Sequence, residues 1–219
     1  MAETNIAPKR KRGRPPKTER GFADTKKALL RSGVELITEN GFMSSGIDTI
    51  VKRVGVPKGS FYHYFKNKEE FGQEVVAEYG RYFSKKLEKH FSRQDVCPLD
   101  RIELFVEDAK VGMTKFNFKR GCLVGNMMQE SPQLSEACAR QLQLAISDWK
   151  SKVKNCLTEG QKTLQIKPDI ETEFYASQFW SGWEGAVMRA KLFRSTAPLD
   201  EFWSFFSQAV KVKSDTTHD

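Results

Sequence analysis

The chain has 219 residues, enough for one large helical domain or two small ones, each with its own core. Its formal charge of +8 is uneven: residues 1–70 carry 15 Lys/Arg against 8 Asp/Glu, and the rest carry 21 against 20. No apolar run is long enough to span a bilayer, and Cys97, Cys122, Cys138 and Cys156 show neither C-x-x-C nor zinc spacing, so a membrane protein and a zinc scaffold are excluded. A positive field confined to the N-terminal third points to a polyanion partner whose affinity falls as salt rises. The basic start is followed by no apolar segment, so no secretory signal is expected. Reduced thiols and a cytoplasmic location follow from that reading, with no cofactor and no metal.

Residues 1–21 hold KRKRGRPPK with Pro8, Pro15 and Pro16 and almost no large apolar groups, so a disordered basic arm is expected. Arg12-Gly13-Arg14-Pro15 resembles the core of an AT-hook, which lays two arginines in a narrow A·T minor groove. The alternatives are a solubilising tail in loose contact with phosphates and, in a eukaryotic source, a nuclear localisation signal. Residues 22–40 place Leu29, Leu30, Gly33, Val34 and Ile37 on one helical stripe, ended by Asn40-Gly41. Ser44 or Ser45 is then available to cap the next helix and to donate to a phosphate.

Ile47, Ile50, Val51 and Val54 recur at helical spacing. Gly55 stops that helix, because glycine enters the left-handed conformation without a Cβ penalty. Pro57 suits the turn or the start of the following helix, where its missing N–H is harmless. That second helix, about Lys58 to Phe65, is anchored by Phe61 and Phe65. Lys58, Gly59, Ser60, Tyr62, His63 and Tyr64 are left for contacts. Helix, glycine turn and short polar helix are the signature of a helix-turn-helix DNA reader; the alternative is a helical hairpin with no DNA role.

Residues 44–71 resemble the DNA-binding segment of TetR-family bacterial repressors, roughly I-x-x-x-A-G-V-x-x-G-x-x-Y-x-H/Y-F-x-x-K-x-x-L. Ile50, Gly55, Val56, Gly59, Tyr62, Tyr64, Phe65 and Lys68 sit in register. Val54 replaces the usual alanine, Pro57 a common serine and Phe71 a common leucine, which leaves the turn intact and affects only base preference. The resemblance implies an all-α fold: a three-helix DNA-binding domain at 22–67, a ligand-binding and dimerisation domain at 68–213, and a disordered tail at 214–219. It implies a double-stranded DNA operator, with Lys58, Gly59, Ser60, Tyr62, His63 and Tyr64 at the major groove and Ser45 and Lys68 on phosphates.

From Lys68 a long amphipathic helix is expected, with Asn67 as N-cap and Glu69 and Glu70 in its first turn, where acids suit the dipole. Its stripe is Phe71, Val75, Val76, Tyr79, Phe83, Leu87 and Phe91; in the family this helix joins the two domains. His63 and His90 are isolated imidazoles, read as surface or capping groups. Pro98 opens the next helix, with Leu99, Ile102, Phe105, Val106, Ala109 and Met113 on its stripe and an end near Phe118. In KRGCLVGNMMQESPQ, Gly121 and Gly125 permit close backbone approach, and Met127 and Met128 fill gaps. Ser131-Pro132 is expected to cap a helix that runs to Glu159 and ends at Gly160, with Leu134, Ala137, Leu142, Ile146, Trp149, Val153 and Leu157 inward.

Residues 169–193 mix bulky aromatics with Gly182, Gly185 and Ala186, and a last helix begins at Pro198. In TetR-like proteins the last two helices of each subunit form a four-helix dimer interface, which implies Phe202, Phe205, Phe206 and Ala209 at a homodimer contact. The alternative is an intramolecular core helix. A two-fold dimer sets two readers one helical turn apart, or a multiple of it, to match a palindromic operator.

The sensor is sought within residues 98–195. Cys122 follows Lys119-Arg120, and nearby cations lower a thiol's pKa. Trp180, Glu184, Val187 and Lys191 share a helix face, and an acid and a base on a buried aromatic helix need partners or a ligand. GCL…FWSGWEGA…RAK resembles a TetR subgroup that answers reactive electrophiles and small unsaturated acids such as acrylate. That resemblance implies Cys122 as electrophile or redox sensor, Lys191 as the cation beside it, and Trp180 and Trp183 as core or pocket wall. The alternatives are an inert buried thiol and an internal Glu184–Lys191 ion pair. Two other classes stay open: a small enzyme acting through Cys122 or Glu184, and an architectural DNA protein acting through its arm. Neither G-x-S-x-G, H-E-x-x-H nor G-x-G-x-x-G occurs, and the chain is read as no enzyme. A sequence-specific repressor released by a small-molecule inducer, with no membrane partner, is the expectation.

Overall fold

Nine α-helices follow one another in the computed structural model, which describes residues 22–212. Arg12, Arg14 and the expected arm and tail lie outside the described residues. The helices are α1 (Phe22–Asn40), α2 (Ile47–Val54), α3 (Lys58–Tyr64), α4 (Lys68–Phe91), α5 (Pro98–Lys115), α6 (Leu123–Gln129), α7 (Glu136–Lys162), α8 (Thr172–Phe193) and α9 (Ala197–Val210). Among the described residues there is no strand, only an antiparallel bridge between Ile166 and Lys211. The fold is all-α, and no helix of the described residues is long and apolar enough to cross a membrane.

The first three helices close over a small core. Leu29, Ile37, Ile50, Phe61 and Phe65 are buried there and meet Phe71 of α4. The rings of Phe61, Phe65 and Phe71 lie 5.0–5.2 Å apart, within the range that favours tilted aromatic packing. Gly55 ends α2 at φ +75°; its N–H returns to Lys52 O and that of Val56 to Val51 O. A Cβ there would be strained, so the turn between α2 and α3 depends on this glycine.

α4 joins the two halves. Asn67 Oδ1 accepts the Glu70 N–H at 2.8 Å, and the Glu70 carboxylate accepts the Lys66 N–H at 2.6 Å, so the N-cap and the residue before it are both tied to the first turn. Its 24 residues extend about 36 Å. One end sits in the first core. The other carries Phe83, 4.4 Å from Trp149, 5.9 Å from Phe105 and 6.0 Å from Trp180, at the centre of the second. α7 packs on α4, α5 and α8, and α9 lies on α8 and α5. Arg101, buried in this half, forms a bidentate pair with Glu159 and donates to the Phe91 and Val96 carbonyls, so its charge is fully partnered.

Several boundaries differ from expectation. Ser131-Pro132 opens only a 3-10 turn, Ser131–Gln133; the cap of α7 is Ser135, which accepts the Cys138 N–H. Gly160 does not end α7. It lies inside the helix, where an added Cβ would stand 2.7 Å from Ile166 Cδ1, so it serves close packing. Ala137 is exposed, and Cys138 takes the inward position. α5 stops at Lys115, because Asn117 and Phe118 adopt left-handed backbone at φ +50° and +56°.

On α9 the expected dimer patch divides. Phe206 is buried within the protomer, 5.0 Å from the Phe179 ring, and Phe202 packs half-buried at 5.4 Å from it. Ala209 is half-buried. Of the four residues assigned to the homodimer contact, Phe205 alone is well exposed, at 74%. Phe206 thus belongs to the protomer core, while Phe202 packs on its edge.

Phe83→Ala should destabilise the protein by about 3–5 kcal/mol, the usual cost of an aromatic cavity. Denaturant unfolding checks this; a cost near zero would contradict the central place given to that ring.

Candidate functional site

α3 projects from a base fixed by Phe61. Lys58, Gly59, Tyr62 and His63 are exposed along it, while Ser60 and Tyr64 are half-buried. The Tyr62 ring stands edge-on to Phe61 at 5.5 Å and the His63 ring edge-on to Tyr64 at 5.3 Å, so neighbouring rings hold these side chains in place. Lys58 Nζ pairs with Asp48 of α2 at 3.0–3.1 Å, and that hydrogen bond raises its pKa. The pair ties the two helices of the motif across the turn.

The two residues assigned to phosphates are engaged elsewhere. Ser45 is buried and its hydroxyl donates to Gly41 O at 2.6 Å; the N-cap of α2 is Gly46. Lys68 Nζ donates to Met43 O at 3.0 Å and lies 4.7 Å over the Phe42 ring. Burial lowers its pKa, and Glu130 acts in the opposite sense. Both side chains therefore brace the α1–α2 loop.

That loop is held from the second half of the chain by residues that sequence reasoning missed. The Glu130 carboxylate accepts the Phe42 N–H at 2.8 Å and the Met43 N–H at 3.2 Å. Asn126 Nδ2 donates to Ile37 O at 3.1 Å and to Thr38 O at 2.8 Å. Arg120 pairs with Glu39 at 2.8 Å and Glu35 at 3.5 Å. The partners lie some eighty residues apart in the chain, so no local pattern marks them.

The same short segment carries the expected sensor. Cys122 is the N-cap of α6, buried, and its Sγ accepts the Gly125 N–H at 3.4 Å. Glu184 of α8 and the Tyr79 hydroxyl of α4 lie close enough to act on it electrostatically. The Glu184 carboxylate lies against Gly125, where an added Cβ would collide with Oε2. Burial, and then Glu184, push the Cys122 thiol well above its ordinary range. This corrects the expectation of a lowered thiol pKa. Arg120 spends its charge on α1, and Lys191 donates at 3.5 Å to Thr38 O and Asn126 Oδ1. No Glu184–Lys191 ion pair forms.

Burial likewise raises Glu184 to about 7, with Cys122 opposing the rise. Its Oε1 and the Trp180 Nε1 are buried with no hydrogen-bond partner among the described residues. Both residues line a cavity of about 230 Å³ with Met128, Ile146, Ser177 and Ser181. Trp183 does not line it. That ring is stacked on Phe179 and packs on Phe105 and Phe202, inside the aromatic core.

A glycine-hinged helix pair with an exposed second helix, carried on a helical domain with a cavity between α7 and α8, defines a helix-turn-helix regulator. Two family models match the chain: bacterial regulatory proteins, tetR family, over residues 29–75, and tetracyclin repressor-like, C-terminal domain, over residues 98–206. The transcriptional regulator AcuR of Cereibacter sphaeroides is 39% identical over 207 residues, covering 93% of each chain. A crystal structure of regulatory protein TetR from Rhodobacter sphaeroides has a TM-score of 0.83 at 38% identity, covering 85% of this chain and 98% of that one. The reduced form of Escherichia coli NemR, an HTH-type transcriptional repressor, has a TM-score of 0.77 at 26% identity, covering 86% and 98%. The chain belongs to the TetR family of transcriptional regulators and is a DNA-binding repressor of that family.

Two outcomes are expected. Gly59 has open space where a Cβ would go, so Gly59→Ala should stabilise α3 by about 0.5–1 kcal/mol while lowering DNA affinity if backbone meets DNA there. Unfolding and DNA titration on one sample check both signs. Because Glu184 titrates near 7 when folded against an ordinary 4.5, its stabilising contribution is complete below about 4.5 and lost as pH rises through 7. Glu184→Gln should flatten the stability–pH curve over that window, by on the order of 3 kcal/mol in all; parallel curves for the two proteins would contradict the assignment.

Proposed function

We propose that the chain is a homodimeric repressor, acting in the cytoplasm, that occupies a palindromic operator through α2 and α3. It releases that operator when a small electrophile or unsaturated acid reaches the Cys122 site. The observation that carries the DNA half is the exposure of Lys58, Gly59, Tyr62 and His63 on a helix whose other side is pinned by Phe61. Lys58 exchanges Asp48 for a phosphate or base edge, and Tyr62 and His63 supply hydrogen bonds in the major groove. The arm with Arg12 and Arg14 adds positive charge to the same half of the chain.

For the dimer, Leu192 and Phe205 are each 74% exposed and Phe193 61%, an apolar surface on α8 and α9 that a second copy would cover. For the sensor, the reading is supported by a carboxyl and an indole N–H at one cavity, by a buried thiol packed with that carboxyl against Gly125, and by likeness to a repressor crystallised in a reduced form. An adduct on Cys122 displaces Glu184 from Gly125 and shifts α6. That loosens the hold of Asn126 and Glu130 on the DNA-binding half, so the readers no longer match the half-site spacing.

Tyr62→Ala should weaken operator binding roughly tenfold to a hundredfold, with unfolding and dimerisation unchanged; equal operator affinity in a gel-shift titration would refute the assignment. Cys122→Ser should bind operator yet stay bound after treatment with methyl vinyl ketone. Equal release from both proteins ends the sensor reading.

A further inference from the structure

We infer that Glu184 is the proton acceptor for Cys122: as the sulfur adds to a conjugated carbonyl compound arriving through the α7–α8 cavity, the thiol proton passes to the Glu184 carboxylate and then to the carbon beside the carbonyl. This rests on the reading of Cys122 as the sensor. The step balances without an oxidant. A sulfur lone pair forms the S–C bond at the far alkene carbon, the C=C pair moves onto the carbonyl as an enolate, and the proton held by Glu184 returns to the near carbon. The net change is addition of S–H across C=C.

The geometry favours a base at the sulfur: Lys191 is near enough to interact with Cys122 electrostatically, but its ammonium is directed away. Four ionisable groups besides the thiol surround the place. Lys191, on α8, is directed to Thr38 O and Asn126 Oδ1, and Lys150 of α7, at the cavity wall, is paired with Glu173 at 2.6 Å. Tyr79 of α4 is buried and held well above its ordinary range, so it keeps its proton and is no acceptor. Glu184 remains, 7% exposed, its Oε2 packed with the Cys122 Cβ against Gly125. Its Oε1 is unpartnered, and it lies between the cavity and the sulfur. A base that titrates near the working pH is the most effective kind, and Glu184 does so at about 7. The unpartnered Trp180 Nε1–H on the same wall offers a donor to the carbonyl oxygen of the incoming compound, where negative charge develops.

The test uses full-length protein carrying Cys97→Ser, which removes the exposed thiol, with methyl vinyl ketone as the electrophile and the Cys122 peptide followed by mass spectrometry from roughly pH 5.5 to 9. The alkylation rate should climb with pH, bend near 7 and level off. In Glu184→Gln it should fall about tenfold or more at pH 7.5 and keep climbing to the highest pH. A purely electrostatic role gives the opposite sign, since removing a neighbouring negative charge eases thiolate formation. Equal or faster alkylation in Glu184→Gln therefore overturns the inference while leaving Cys122 as the sensor. A protein with glutamate in place whose profile has no bend near 7 overturns it without recourse to the variant. No adduct at Cys122 at any pH removes the sensor reading itself.

Discussion

One carboxylate holds the two halves of this molecule in register. Glu130, just past α6, takes the N–H groups of Phe42 and Met43, the second and third residues beyond the α1 terminus. Asn126, one helical turn earlier, donates to the Ile37 and Thr38 carbonyls in the last turn of α1. A helix end and the loop behind it are thus completed by groups from a different domain. Lys68 joins the same knot through the Met43 carbonyl. Any displacement of α6 reaches the DNA-binding half directly, because backbone groups, rather than flexible side chains, are what α6 grips.

The opposite side of that short segment faces the sensor. Cys122 caps it, and Gly125 admits Glu184 so closely that no other residue would fit. Burying a thiol, a phenol and a carboxyl together keeps all three in their neutral forms more readily than in water. Leaving Glu184 Oε1 and Trp180 Nε1 unpartnered costs stability, of the order of 1–3 kcal/mol for each group. Uncompensated polar groups of this kind are where folds give up stability for function. A segment of seven residues with a poorly satisfied site on one face and an interdomain grip on the other is well suited to move as a unit.

Much of the architecture was legible because it is encoded locally. Gly55 for the turn, Asn67 and Pro98 for helix starts, and the stripe from Phe71 to Phe91 each act within a few residues. α6 escaped because seven residues show too little periodicity and a cysteine is an unusual cap. Ser131-Pro132 misled because Ser135, four residues on, is the better placed cap. The charges around Cys122 misled for a deeper reason: Arg120 is adjacent in sequence but spends its charge on Glu35 and Glu39 across the domain boundary. Phe206 resembled an interface residue because apolar faces of a terminal helix read alike whether a protomer or a partner covers them. Its contact with Phe179 decides the matter only in three dimensions.

The coupling through α6 is tested most directly by amide hydrogen exchange at Phe42 and Met43, measured before and after alkylation of Cys122, in protein free of DNA. Faster exchange at both amides, with the α3 amides unchanged, is the expected result. Operator release with undiminished protection at Phe42 and Met43 would contradict it.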